Sequence, residues 1–80
     1  SQVINYNWDS RTVYSWDGKE LTSASKDANG NETDGGIIAN QYSKDGDVKT
    51  IIIKYTSDEI QVNGTSVAAN SAAVVEGGVK

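Results

Sequence analysis

Apolar and polar positions alternate with a period of two through much of this chain, and each alternating run closes on a turn-forming residue. Over residues 2–8, Ile4, Tyr6 and Trp8 interleave with Val3, Asn5 and Asn7, the pattern of a strand with one buried face. A second run, from Arg11 or Thr12 to Trp16, echoes the first: Tyr6-Asn7-Trp8-Asp9 returns as Tyr14-Ser15-Trp16-Asp17. Rings two residues apart leave the same side of an extended strand, and Asp ends each phrase at a turn. A three-residue loop, Asp9-Ser10-Arg11, would pair Trp8 with Thr12, Tyr6 with Tyr14 and Ile4 with Trp16, gathering all four rings on one face. A two-residue loop at Asp9-Ser10 would split them between faces. The longer loop is preferred, since it concentrates scarce aromatic area where burial contributes roughly 25 cal/mol per Å².

Asp17-Gly18 has the form of a type I′ turn, which predicts a third strand over residues 19–25 with Trp16 facing Lys19 and Tyr14 facing Leu21. Residues 26–36 are polar and glycine-rich and read as the longest loop. Two further strands, 36–43 and 48–55, flank the turn Lys44-Asp45-Gly46-Asp47. Pairing Ser43 with Val48 sets Ile38, Asn40, Tyr42, Ile51, Ile53 and Tyr55 on one face and Ile37, Ala39, Val48 and Ile52 on the other. A strand pair that is apolar on both faces calls for cover on both sides. Ile60 and Val62, then Asn63-Gly64, then Thr65 and Val67 form another hairpin. In the tail, Ala73 to Val75 reads as a last strand, with a short helix capped by Asn70 as the alternative. These runs predict one all-β domain over residues 1–80, a small antiparallel meander forming a sandwich or a partly open barrel of about seven strands.

Composition narrows the chemistry. The 80 residues include no His, Cys, Met, Phe or Pro, so there is no imidazole or thiol for nucleophile pairs, soft metal ligation or redox work. Eleven acidic against seven basic side chains give a net charge of −4. Arg11 and the lysines are spread among acids, which disfavours a phosphate-binding surface and hence a nucleic-acid partner. No apolar run is long enough for a membrane span, and no signal peptide is visible, while Ser1 is compatible with removal of either an initiator Met or a longer leader.

Four features compete with the plain reading of a packed β-domain. Tyr6, Trp8, Tyr14 and Trp16, with Asp9 and Asp17, could form an aromatic platform for sugar rings, although a core this poor in large apolar groups also needs both tryptophans. Asp27, Asn29, Asn31 and Asp34 place oxygens at calcium-loop intervals, but the sixth and twelfth positions from Asp27 are Glu32 and Ile38 where an EF-hand needs Gly and Glu. Asn31-Glu32-Thr33 and Asn63-Gly64-Thr65 match the glycosylation pattern, a match that arises by chance in a chain of this composition. Residues 50–55 have steric-zipper character, which favours self-association. The carboxylates fall in turns rather than as a pair across a cleft, so an enzyme is not expected, nor a cofactor or resident metal. The expectation is therefore a structural or adhesive domain that contacts itself or another protein through Ile37, Ala39, Val48 and Ile52, in an extracellular, cell-surface or virion assembly. Two alternatives stand beside it: a carbohydrate-binding module using the Trp and Tyr platform, and a small acidic inhibitor of a basic protein.

Overall fold

The computed structural model describes residues 3–80. Its strands, in chain order, are β1 (Asn7–Trp16), β2 (Leu21–Ser23), β3 (Ile37–Lys44), β4 (Asp47–Lys54), β5 (Ile60–Val62), β6 (Thr65–Val67) and β7 (Ala72–Glu76), with no helix among the described residues. Five strands form one antiparallel sheet in the order β2-β1-β3-β4-β7, and β5 and β6 form a two-stranded sheet of their own. The architecture is a lopsided two-layer sandwich rather than a closed barrel.

Local turn chemistry sets two hairpins. Asp45 and Gly46 have φ of +51° and +84°, the paired left-handed conformation of a type I′ turn, and Ser43 stands opposite Val48 as the spacing predicts. Asn63 and Gly64, at +49° and +81°, do the same between β5 and β6, pairing Val62 with Thr65. The tail forms β7, a strand against β4.

The aromatic start folds otherwise than its pattern suggests. Residue 2 lies outside the described residues; Val3 to Asn5 form a turn closed by the Tyr6 N–H on the Val3 carbonyl at 3.0 Å, with Asn5 at φ +67°. From Asn7 the chain then runs straight through Asp9-Ser10 as one ten-residue strand. The partner decides this: β3 accepts β1 from Asn7 to Tyr14, a longer ladder than two short strands in a hairpin could form with each other. The expected pairing of Tyr6 with Tyr14 is thereby overturned. The turn residues instead leave a bulge, since Trp8 is opposite Tyr42 and Ser10 opposite Gln41 with Asp9 extra between them. One inserted residue resets the alternation, so Trp8 emerges on the face opposite Tyr14 and Trp16. Asp9 holds the bulge by accepting hydrogen bonds from Gln41 Nε2 at 3.2 Å and Ser43 Oγ at 2.9 Å.

The Asp17-Gly18 turn is also longer than its type I′ form. The Asp17 carboxylate accepts the amides of Lys19 and Glu20, each at 2.8 Å, and this side-chain cap draws four residues into the turn. Trp16 therefore faces Leu21 and Tyr14 faces Ser23, with Lys19 outside the strand.

The core lies on one side of the large sheet. Ile37, Ala39, Ile52 and Val75 project from it and meet Ile60, Val62 and Val67 of the β5–β6 hairpin, while Tyr14, Trp16, Leu21, Ala73 and Val79 pack around this cluster. Lys54 directs the chain from β4 toward the second layer. It is 1% exposed, and its ammonium donates to the carbonyls of Thr56, at 2.7 Å, and of Asp58, with the Asp58 carboxylate 3.3 Å away. A buried ammonium is tolerated only with such partners, and these gather residues 55–59 into the connection that carries β5 over the core.

Candidate functional site

Among the described residues, the other side of the sheet has no second layer. Its side chains stand in three rows across the strands: Val13, Ile38, Ile53 and Ala72; then Arg11, Asn40, Ile51 and Val74; then Trp8, Tyr42, Lys49 and Glu76. Val13, Ile38, Ile51, Ile53 and Val74 are only half-buried. At the borders Trp8 is 59% and Tyr55 67% exposed. The face thus has an aliphatic centre between two uncovered rings, with Asn40 accepting from the Trp8 indole N–H at 3.3 Å.

Loops fold against two of its corners. At the β1–β2 end, Asp34 accepts hydrogen bonds from Ser15 Oγ at 3.0 Å and from the Ser25 amide at 2.7 Å, which lays residues 25–36 against Val13. The hollow left between Arg11, Val13, Ala24, Lys26 and Glu32 measures about 170 Å³. Small-molecule sites occupy roughly 300–1,000 Å³, so this hollow is a seam rather than a pocket. At the opposite corner the Tyr6 hydroxyl donates to Asp47, and Lys49 binds Glu76 through both carboxylate oxygens at 2.8 and 2.9 Å while lying 3.6 Å from Asp47. The shared hydrogen bond raises the Tyr6 phenol above its ordinary pKa and lowers that of Asp47, and the bond to Glu76 raises Lys49. Charge on this face is largely matched within the chain.

The residues singled out in the sequence are distributed unexpectedly. Ile37, Ala39 and Ile52, the expected contact face, are 0%, 5% and 0% exposed, and Val48 beside them is half-buried. The correction has a simple cause: the β5–β6 hairpin covers that face with Ile60, Val62 and Val67. What stays uncovered is the face of Ile38, Ile51 and Ile53, the other half of the same two-sided pattern. The six residues of the expected sugar platform are not brought together. Tyr14 and Trp16 pack against the core, Trp8 lies on the open face, Tyr6 bonds to Asp47, Asp9 holds the bulge and Asp17 caps a turn. In the loop with calcium-like spacing, Asp27 Oδ1 accepts the amides of Asn29 at 2.8 Å and Asn31 at 3.0 Å, while Asp34 is engaged by Ser15 and Ser25. Asn63 donates to the carbonyls of Glu76 and Gly78, tying the β5–β6 turn to the tail.

Val13 and Val74 belong to the open face although neither stood out in the sequence. The signal was present only as their register: each enters the aliphatic rows through pairing with a strand distant in the chain. Comparison of the chain with protein-family models, with curated proteins and with solved structures finds no match.

Proposed function

We propose that this chain is a non-enzymatic contact domain that assembles with copies of itself, and that the open sheet face is its working surface. The observation that carries the reading is the asymmetry of the sheet: one apolar side sealed by its own hairpin, the other apolar side left as a single layer. Local charge on the face permits a like partner. Lys49 lies between Asp47 and Glu76, and Arg11 approaches Glu32 at 4.0 Å, so the face carries little unmatched charge with which to select a strongly basic or acidic protein. A structural or adhesive part in an extracellular, cell-surface or virion assembly is the setting that suits such a domain.

Size-exclusion chromatography with light scattering tests this across a concentration series. The expected result is a mass rising above the monomer, and a lower mass in the double variant Ile51→Thr, Ile53→Thr with an unchanged circular dichroism spectrum. A wild-type chain that stays monomeric at millimolar concentration would overturn the reading.

Trp8 supports a second reading. Its exposed indole, fixed by Asn40 and flanked by Tyr42, has the flat face on which a sugar ring stacks. Glycan titration followed by tryptophan emission checks it: a saturable change lost in Trp8→Ala supports a carbohydrate-binding module, and no response across a broad glycan set removes it.

A further inference from the structure

The large sheet ends at β7, and the backbone of that edge is open in a regular way. The Gly77 N–H donates to the Val48 carbonyl and the Ser71 carbonyl accepts the Lys54 N–H, both at 2.8 Å. The odd-numbered residues here therefore turn their backbone groups toward β4, and the alternation of an antiparallel ladder turns those of Ala72, Val74 and Glu76 away. The Asn63 side chain caps the Glu76 carbonyl at 3.0 Å. Among the described residues nothing bonds the N–H and C=O of Ala72 and Val74.

Natural edges are guarded by lysine, proline, inward charges or a covering segment. This one has none of these over residues 71–75, which read Ser-Ala-Ala-Val-Val, and the charge of Glu76 is matched by Lys49. The β5–β6 hairpin lies over the core side and leaves the edge itself unpaired.

We propose that β7 is a dimerisation edge, joining antiparallel to β7 of a second copy about a two-fold axis at Ala73. This rests on the reading that the chain assembles with itself, and it adds an edge-to-edge contact to the contact through the open face. In that register Ala72 lies opposite Val74 of the second copy, and the two free N–H and two free C=O groups of each chain are all consumed in four hydrogen bonds. Glu76 falls opposite Asn70 of the second copy, so like charges do not meet. A register shifted to put Val74 opposite itself would instead need the Glu76 carbonyl, which Asn63 already occupies. The product is a continuous sheet twice the width of the present one. It carries both open faces side by side, because Ala72 and Val74 project on the same side as Ile51 and Ile53.

Proline at position 74 tests the edge without touching the ladder to β4, since it removes only an N–H that points away, a place where sheets accept proline. Val74→Pro is expected to abolish the dimer in light scattering while keeping the wild-type circular dichroism spectrum. Ala72→Pro, which removes the other outward-pointing N–H at the first residue of the strand, provides a second route to the same loss should proline at position 74 unfold the chain. Amide hydrogen exchange gives an independent readout. The Ala72 and Val74 amides are expected to be protected at high protein concentration and to exchange rapidly on dilution, while those of Ala73 and Val75 stay protected throughout. Fast exchange at Val74 in the associated state, or a dimer that survives in both variants, would overturn the proposal. If Ile51→Thr, Ile53→Thr dissociates the assembly and neither proline variant does, face contact stands and the edge falls; the reverse result, with the Ala72 and Val74 amides protected at high concentration, removes the face and keeps the edge.

Discussion

Asp17 and Asp27 each aim a carboxylate at backbone amides of their own turn, Asp34 aims its carboxylate at the Ser25 amide and the Ser15 hydroxyl, and those bonds hold all three below the ordinary carboxylate pKa. The sign of the consequence is definite. A carboxyl whose pKa is lower folded than unfolded contributes stability that is complete above the unfolded value, about 3.9, and is lost as pH falls through the folded one. The urea midpoint is therefore expected to be flat from neutral pH down to about 5 and to decline below about 4. Asp34→Ala should start from a lower midpoint and show a shallower acid decline, because it removes one of the groups whose protonation drives it. Lys54 works at the same scale in the opposite setting: it is fully buried, and it gathers two loop carbonyls and a carboxylate where the core ends.

Among the elements, the connections set the geometry as much as the strands do. The bulge at Asp9 sends Trp8 to the open face while Tyr14 and Trp16, on the same strand, serve the core. The segment before β3 has a comparable influence through Gly35, at φ +138°, where a Cβ would come within 2.7 Å of Val13 Cγ1. Gly35→Ala should be destabilising by about 1–3 kcal/mol, combining backbone strain with overpacking. Denaturant unfolding would measure the loss. Chemical-shift changes confined to Val13, Ser15 and residues 25–36 would show that the loop has lifted from β1, whereas shifts throughout β4 and β7 would contradict this local account.

The whole molecule depends on an unequal pair of layers. A chain of this length has a net stability of only about 4–12 kcal/mol, and the cover over its core is a hairpin of two three-residue strands. Ile60→Ala should therefore cost about 2–5 kcal/mol, a large fraction of the total. Calorimetry would detect it as a steep fall in the midpoint, and a change near zero would mean that the hairpin is not the cover the core relies on. The same scale decides the functional reading. Among the described residues one small hairpin covers one side of the five-stranded sheet, and the side that remains is where the proposed contact with a second copy would lie.

Much of this arrangement was legible in the sequence, where it depends on residues close together in the chain. The β3–β4 register, the type I′ turns at Asp45-Gly46 and Asn63-Gly64, and the presence of aliphatics on both sides of the central hairpin all follow from period-two spacing and positive-φ turn residues, whereas the tail reads as a strand or a short helix until β4 pairs with it. Other features were decided by competition between distant segments. Residues 7–16 alternate equally well as two strands or as one, and only the long ladder offered by β3 makes them one. Asp17-Gly18 suits a two-residue turn until the Asp17 carboxylate takes the next two amides. The pattern of Ile37, Ala39 and Ile52 against Ile38, Ile51 and Ile53 specifies two apolar faces with no preference between them. The path of the chain after Lys54 lays the β5–β6 hairpin on the first and, among the described residues, no layer on the second, because burial depends on which surfaces meet in space and not on the order of residues within either strand.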